Sequence, residues 1–349
     1  MRIKKEVRKI VASVLAFLMV VSLIPVNSLM TKANAASKTT FEGGKTVEDG
    51  TWKGWTWNVF GSSTDVTKAF ATDTGNGGVT LEVTGDKGKI NGSASDQGLN
   101  TFLYELDKSY DFTITAQAKV DTLAANAQAA FGLTIRDNVG AHGNTAKLTA
   151  DKNNFAFVGG YGNQAASGHG NAGYKTTALA HTRLGESPEV GGTYDLAIQK
   201  VGDSVKLYFN GEVAAECSAD DLITDNAMYV GLFAARNAKV TFNNVKLAYT
   251  QDSSSVKVTT NVTAPKKTTY CAGNTYEDVD LTGFKATVSV DGKEREITAS
   301  DCVVDMSNDP FAEVTDAGKL NLLYLGQTIE VPITVIKEVV SDMYIEYMP

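Results

Sequence analysis

The sequence predicts an all-β protein. Apolar and polar residues alternate with a period of two along most of the chain, as in YDLAIQKVGDSVKLYFNG at 194–211. Gly, Asn and Asp interrupt these stretches, and Gly202-Asp203 and Asn210-Gly211 are typical of tight hairpin turns. Hardly any segment after residue 35 has the spacing of an amphipathic helix.

The first 35 residues have the features of an export signal. Five basic residues between Arg2 and Lys9 precede the apolar run IVASVLAFLMVVSLIPV, and Ala33-Asn34-Ala35 provides the small residues that signal peptidase recognises. Pro25 interrupts the run before it reaches the roughly 20 apolar residues of a spanning helix, so a retained anchor is the less favoured alternative. We expect a chain that begins near Ala36 and is secreted, extracellular or associated with the cell surface.

The charge excludes some partners. Removing the six basic residues and one acidic residue of 1–35 takes the net charge from −8 to −13. Such an acidic chain does not bind nucleic acid non-specifically and is repelled by anionic lipid. We therefore expect no nucleic-acid partner and no membrane insertion once the signal is cleaved.

The remaining chain divides at a change of composition. Short antiparallel strands between 38 and 250 predict one two-sheet sandwich or jelly roll. The polar residues 251–255 predict a short linker. The region 256–338 is strand-rich and has the size and pattern of an immunoglobulin-like sandwich.

The last residues, 339–349, predict the start of a further repeat. Val256–Pro265 and Val340–Pro349 share the same spacing at a period of 84 residues. Repeats of this kind normally come as whole units, because a lone strand has no partner sheet. We therefore expect that the chain is the front part of a longer protein; chance similarity over ten residues is the alternative.

The cysteines and histidines do not indicate a catalytic or metal site. Cys217 stands alone, whereas Cys271 and Cys302 lie 31 residues apart and are candidates for a disulfide, which sequence alone cannot decide. The histidines (His142, His169 and His181) lie in Gly- and Ala-rich segments and are interpreted as solvated loop residues.

Two family resemblances follow from particular residues. The run PKKTTYCAGNTYEDVDLTGFKATVSVDGKEREI resembles a bacterial Ig-like domain (group 3 type), with the motif residues in the expected order: Pro265, Tyr270, Gly273, Asp280, Leu281, Gly283, Asp291 and Gly292. The segments AAFGLTIRDN, NNFAFVGGYG and YVGLFAARNAKVTFNNVKL resemble concanavalin A-like (laminin-G-like) sandwiches found beside pectate lyase modules. These resemblances imply a concanavalin A-like jelly-roll sandwich followed by a smaller Ig-like β-sandwich, with carbohydrate binding as the default role.

One departure from the resemblance argues against catalysis. Glycosidases of this fold carry a strand with Glu-x-Asp-x-x-Glu, which places two carboxylates on one face as nucleophile and acid/base. The stretch 38–250 contains no such strand, and the sequence has no Gly-x-Ser-x-Gly elbow, metal-hydrolase motif or phosphate loop. The sequence therefore predicts a non-catalytic sandwich.

The tryptophans are the first candidates for a binding site. All three lie in the stretch TWKGWTW at 51–57, where alternation places Trp55 and Trp57 on one face of a strand. Indoles stack well on pyranose rings, which predicts a carbohydrate platform. The alternative is that they pack in the sandwich core.

Arginines provide the second set of candidates. Arg136 and Asp137 end the strand AAFGLTIRD, in which Gly132, Thr134 and Arg136 share one face. Small polar residues suit a groove that admits a sugar chain, and the arginine fork suits a uronate carboxylate. Arg183 could serve a pectin-type glycan in the same way. Arg236 ends a similar strand and would join Arg136 only if the two strands are neighbours.

Loop aromatics and a metal pair complete the candidates. The Gly-rich stretch 158–174 carries Tyr161 and Tyr174, which we expect to contact a glycan, a disordered insertion being the alternative. The resemblance also implies a structural calcium ion, with Glu42 and Asn243 as ligands if the terminal strands pair. No other cofactor is expected.

The sequence thus predicts a non-catalytic polysaccharide-binding module of a secreted modular protein, with the Ig-like region as spacer. The expected partner is a plant or cell-wall polysaccharide. Two alternatives stay open: the accessory front of a pectate lyase, and a cell-surface adhesin that binds protein.

Overall fold

The structure, a computed structural model, describes residues 38–61, 64–90, 97–148, 153–162, 164–170, 180–185 and 187–337. The predicted export signal and the predicted further repeat at 339–349 lie outside this range, as does Tyr174. Within it, no helix is long and apolar enough to cross a membrane.

The larger region is a two-sheet sandwich. Its strands, in chain order, are β1 (Thr39–Thr40), β2 (Trp55–Phe60), β3 (Ala69–Asp73), β4 (Val79–Val83), β5 (Leu99–Asp107), β6 (Asp111–Leu123), β7 (Ala130–Arg136), β8 (Phe155–Tyr161), β9 (Gln164–Gly170), β10 (Ala180–Arg183), β11 (Thr193–Val201), β12 (Ser204–Phe209), β13 (Glu212–Ser218), β14 (Ala227–Ala235) and β15 (Ala238–Thr250). Among the described residues of this region, helical structure is found in α1 (Ala219–Leu222) and in the short 3-10 turns Gly50–Trp52 and Val66–Lys68. The all-β prediction is confirmed.

Two sheets divide these strands. Sheet A has eight strands in the order β1-β3-β4-β15-β6-β11-β12-β13, and sheet B has seven in the order β10-β9-β8-β7-β14-β5-β2. The alternation of each strand sends one set of apolar side chains between the sheets, including Val59, Phe102, Leu133 and Ile198. Sheet B carries a second apolar cluster on its outer face, built around Phe60, Phe155, Phe157 and Phe233.

The smaller region is a second two-sheet sandwich. It contains β16 (Lys257–Thr263), β17 (Thr269–Cys271), β18 (Lys285–Val290), β19 (Lys293–Thr298), β20 (Val303–Asp305), β21 (Thr315–Tyr324) and β22 (Gln327–Ile336). They form a three-stranded sheet, β16-β18-β19, and a four-stranded sheet, β17-β22-β21-β20. The 3-10 turns Tyr276–Asp278 and Ala299–Asp301 connect strands of this region, which has its own apolar core.

The smaller sandwich packs on the outer face of sheet A. Thr115 on β6 donates to the Ser300 carbonyl at 2.7 Å, and the backbone N–H of Leu325 donates to Thr113 at 3.1 Å. Ala197 and Tyr208 of sheet A form a small buried apolar cluster with Val303. Part of the outer face of sheet A is therefore a contact between the two sandwiches.

The polar residues 251–255 lie within this contact. They include the 3-10 turn Ser253–Ser255, and Ser253 is buried. The Ser253 N–H donates to Asp111 at 3.4 Å, and its carbonyl accepts from Gln327 at 2.9 Å. The joint therefore makes hydrogen bonds to both sandwiches.

We predict that Thr113→Val weakens the fold through this contact. The substitution removes the acceptor for the Leu325 N–H and for the Gln199 side chain, both of them buried. The free energy of unfolding should fall by about 1–3 kcal/mol, the cost of an unsatisfied buried polar group. Chemical denaturation measures this, with Thr122→Val at an exposed position of β6 as the control. Equal stability of the two variants would contradict the contact.

Candidate functional site

The tryptophans lie in the core, so the prediction of a stacking platform is wrong. Trp52, Trp55 and Trp57 are 4%, 6% and 8% exposed. Trp55 stacks on Phe102 with ring centroids 5.3 Å apart, and the Trp57 indole donates to Asn100 at 2.7 Å. β2 is an edge strand of sheet B whose indoles face inward, so no ring face is available to a sugar.

The expected groove above β7 is filled by side chains of the same sheet. Gly132 on β7 pairs with Phe233 on one side and with Gly159 on the other. The rings of Phe157 and Phe233 meet across β7 with centroids 6.0 Å apart, edge to face. Gly132, Thr134 and Arg136 do share the outer face, but these rings occupy the space that the sequence assigned to a sugar chain.

Gly132 is required by the backbone. Its φ is +153°, and a Cβ there would lie 2.0 Å from the Val158 carbonyl oxygen of the neighbouring strand. The glycine therefore serves the close pairing of β7 with β8. A small residue on a sheet face did not indicate an open groove.

Arg136 is fully buried at the end of β7 and is not a surface contact. Its guanidinium lies between the rings of Phe60 and Phe155, 5.6 and 5.0 Å from their centroids. Nη2 donates to Gln97 at 2.7 Å and to Asn153 at 3.0 Å, and Nε donates to the Asn138 carbonyl. Burial lowers its pKa to about 10. The prediction that Arg136 binds a glycan is wrong, because the side chain ties loops to sheet B.

Asp137 is also buried, and its carboxylate accepts hydrogen bonds from neighbouring residues. It accepts from the Asn154 backbone N–H at 3.0 Å, from the Asn154 amide at 2.9 Å and from Thr224 at 3.3 Å. Burial raises its pKa to about 6, against the opposing effect of Arg136. Sequence reasoning missed Gln97, Asn153, Asn154 and Thr224, which come from three separate segments of the chain. Asp137 is thus a structural acceptor, contrary to its prediction as a glycan contact.

Some polar atoms around Arg136 and Asp137 are buried without a described hydrogen bond. Arg136 Nη1, Asn153 Nδ2 and Asn154 Oδ1 are buried and have no hydrogen-bond partner among the residues that the structure describes. Each such group is costly to bury, so ordered water is the natural complement here.

Arg236 lies far from Arg136. Strands β7 and β14 are neighbours, as the sequence hypothesis required, but they run antiparallel and pair Arg136 with Tyr229. The two arginines therefore stand at opposite ends of the strand pair, about 24 Å apart at 3.4 Å per residue. Arg236 donates to the Gly88 carbonyl at 3.1 Å, in a turn where its own φ is +51°. The prediction that Arg136 and Arg236 line one shared patch is therefore wrong.

Two predicted residues do come together, at the β10 edge of sheet B. The Arg183 guanidinium lies over the Tyr161 ring, 5.2 Å from its centroid, and donates to the Tyr161 carbonyl. The His181 ring meets the same tyrosine edge to face at 5.2 Å. We call Tyr161, His181 and Arg183 the edge cluster.

The register explains why the edge cluster shares one face. Arg183 pairs with Ala166 and His181 pairs with Gly168, two positions apart on β9. Ala166 in turn pairs with Gly159, two positions before Tyr161 on β8. All three cluster side chains therefore point outward, and His181 and Arg183 are exposed whereas Tyr161 is half-buried. The His-x-Arg spacing is the sequence signal that could have found His181.

The expected disulfide is wrong. Cys217, Cys271 and Cys302 are free thiols. Cys271 ends β17 and Cys302 precedes β20, and these strands are the opposite edges of the four-stranded sheet. Three strand spacings, about 14 Å, separate them, beyond the roughly 7 Å that a disulfide spans between Cα atoms.

The expected calcium ligands also lie apart. β3 and β4 separate β1 from β15, and the register places Phe41 level with Val240. Glu42 and Asn243 therefore stand about 14 Å apart across the sheet and about 14 Å along it, and as a shared pair of ligands they are wrong. No group of three or more His, Cys, Asp or Glu side chains able to hold a metal occurs in the described parts of the chain.

Comparison with known proteins gives one relative of clear similarity. No protein-family model matches the chain. Pectate lyase L of Thermoclostridium stercorarium is 28% identical over 298 residues, which cover 84% of this chain. The chain spans 22% of the length of that relative.

Solved structures give more distant likenesses. A carbohydrate-binding module (CBM66) from Bacillus subtilis is 16% identical and matches 61% of this chain and 96% of its own, with a TM-score of 0.33. The alginate lyase AlgAT5 of polysaccharide lyase family 7 is 14% identical over 52% and 82% of the two chains, with a TM-score of 0.34. Lectin II from Ulex europaeus is 11% identical over 61% and 96%, with a TM-score of 0.36.

We predict that the indoles report no ligand. Because all three are almost fully buried, their emission should be blue-shifted and acrylamide should quench it weakly. Addition of pectate, xylan or β-glucan should leave the emission unchanged. Fluorescence spectroscopy checks this, with free tryptophan as the reference for full quenching. Strong quenching, or a shift on adding a glycan, would restore the platform hypothesis.

We predict that Asp137 makes stability fall as the pH rises. A carboxyl whose pKa is raised from 3.8 to about 6 in the fold contributes most below pH 4, and this contribution is lost as the pH passes 6. The loss over that window is roughly 3 kcal/mol at most.

Denaturation curves at pH 4, 5, 6 and 7 measure this dependence for the wild type and for Asp137→Asn. The variant should lack the downward slope between pH 4 and 6. The same slope in both proteins would show that Asp137 is not its source.

Proposed function

We propose that the larger sandwich binds an acidic polysaccharide of the pectate type without cleaving it, through the edge cluster. The observation that carries this proposal is the exposed Arg183 guanidinium held over the Tyr161 ring. The similarity to a protein named pectate lyase supports the choice of polysaccharide.

The chemistry of the edge cluster suits a uronate. A guanidinium has five N–H donors in a fixed fork. Among the described contacts, Arg183 donates a hydrogen bond to one acceptor, the Tyr161 carbonyl oxygen. The remaining donors can hold a carboxylate in the two-bond geometry that arginine favours. Tyr161 keeps the guanidinium in place and offers a ring edge to the apolar face of a sugar.

The charge balance sets the strength of binding. The chain carries a net charge of −8, so attraction for a polyanion is local to Arg183 and opposed at longer range. Binding should therefore be weak and should depend on avidity along the polymer. Buried Trp55, Trp57 and Arg136 leave a neutral glycan without the platform that the sequence suggested.

The smaller sandwich is proposed to act as a rigid spacer in an exported modular protein. Its contact with sheet A fixes its direction relative to the edge cluster, because the joint at Ser253 is hydrogen-bonded on both sides. The binding surface then keeps one orientation relative to whatever follows.

We predict that Arg183→Ala lowers affinity for polygalacturonate about tenfold. One charge-assisted arginine–carboxylate contact contributes roughly 1.5–3 kcal/mol, which corresponds to this factor or more. Affinity gel electrophoresis measures the change. Arg183→Lys should recover part of the binding, because it restores the charge without the fork.

Two controls accompany this experiment. Lys293→Ala removes one exposed cation from the smaller sandwich, and Trp57→Phe alters a core indole; both should bind as the wild type does. If Arg183→Ala were retarded by polygalacturonate as strongly as the wild type, the edge cluster would not be the binding site. Absence of any retardation of the wild type by polygalacturonate, pectin or alginate would contradict the function.

A lyase is the second candidate, because a relative that is 28% identical to this chain is named as one. Its distinguishing product is an unsaturated sugar end, detected by ultraviolet absorbance. Under our proposal the purified chain forms none from polygalacturonate, with or without added calcium. Product formation by the purified chain would replace the binding function with catalysis.

A further inference from the structure

A cleft of about 320 Å³ lies between the two sandwiches, on the outer face of sheet A. Both sandwiches line it, and it is separate from the edge cluster, which belongs to sheet B. Ligand pockets commonly lie between domains and measure about 300–1,000 Å³, so this one has room for a small ligand.

One wall of the cleft is polar and comes from the larger sandwich. Gln117 donates to an Asp195 carboxylate oxygen at 3.2 Å, and Asn210 accepts from the Asp195 backbone N–H at 2.9 Å. Among the described contacts these bonds use one oxygen of Asp195 and the Oδ1 of Asn210. The second carboxylate oxygen and the Asn210 amide nitrogen are therefore available to a ligand.

The other wall is apolar and comes from the smaller sandwich. Val279, Leu281 and Met306 line it, and Tyr208 and Val303 extend it where the sandwiches touch. Gly211 allows the Met306 side chain to pack against the backbone of the larger sandwich, because a Cβ at this glycine would lie 2.8 Å from the methionine methyl carbon. The cleft thus presents a carbon surface facing a row of hydroxyl-binding groups.

The charge of the lining limits the class of ligand. Asp195 is the one charged side chain among the described lining residues, and no lysine or arginine is present there. A carboxylate without a nearby cation repels a uronate but accepts hydrogen bonds from hydroxyl groups. This is the opposite charge preference to that of Arg183.

We propose that this cleft is a second binding site, specific for a neutral sugar ring. The apolar C–H face of the ring lies against Val279, Leu281 and Met306, and its hydroxyls bond to Asp195, Gln117 and Asn210. The site does not depend on the proposed pectate site, since the two share no residue and lie on different sheets.

Calorimetric titration of the full chain with cellotriose, maltotriose and galactotriose tests this site. At least one should bind, in the millimolar to high micromolar range expected of a small ligand on an open cleft. Asp195→Ala should weaken that binding at least fivefold and Val279→Ala at least twofold. Glu294→Ala and Val314→Ala, exposed positions elsewhere on the smaller sandwich, should leave it unchanged.

Two further arms separate this proposal from the pectate site. Arg183→Ala should bind the neutral trisaccharide as the wild type does. Loss of pectate binding in this variant would therefore not affect the test of the cleft. Trigalacturonate should not compete for the cleft of the wild type. Absence of neutral-sugar binding, unchanged binding by both cleft variants, or competition by trigalacturonate that depends on Asp195 would overturn the proposal.

Discussion

Aromatic rings cover the outer face of sheet B, and this packing decides where the larger sandwich can bind a ligand. The rings of Phe157 and Phe233 meet above β7, edge to face, with centroids 6.0 Å apart. Arg136 extends the same layer by lying between Phe60 and Phe155. Burial of these rings stabilises the fold by about 1.5–3 kcal/mol each, so opening the face to admit a polysaccharide would cost several times the gain from a weak sugar contact.

Sheet A is covered in a different way. The smaller sandwich packs on part of its outer face through Thr113, Thr115, Ala197 and Tyr208. The two places that we assign to ligands are the β10 edge of sheet B and the cleft between the sandwiches. These places differ in charge, with Arg183 at one and Asp195 at the other, which is why we assign them sugars of opposite character.

Much of the fold follows from the sequence because strand alternation and turn residues are local signals. The sides on which Gly132, Thr134 and Arg136 lie, and the strand character of 194–211, could be predicted in this way. What covers a sheet face is a non-local property: nothing near Gly132 in sequence indicates that Phe157 and Phe233 pack above it. Strand order is also non-local, and it separates Arg136 from Arg236 and Cys271 from Cys302. The tryptophans were ambiguous because a large aromatic on an edge strand fits both a core and a platform.

The most direct test of this account is a nuclear magnetic resonance titration with an oligogalacturonide. The three indole N–H signals report the core behind β2, and the His181 ring signals report the edge cluster. Our account predicts that the His181 signals shift with the oligogalacturonide while the three indole signals stay in place. Shifted indoles with an unmoved His181 would contradict it.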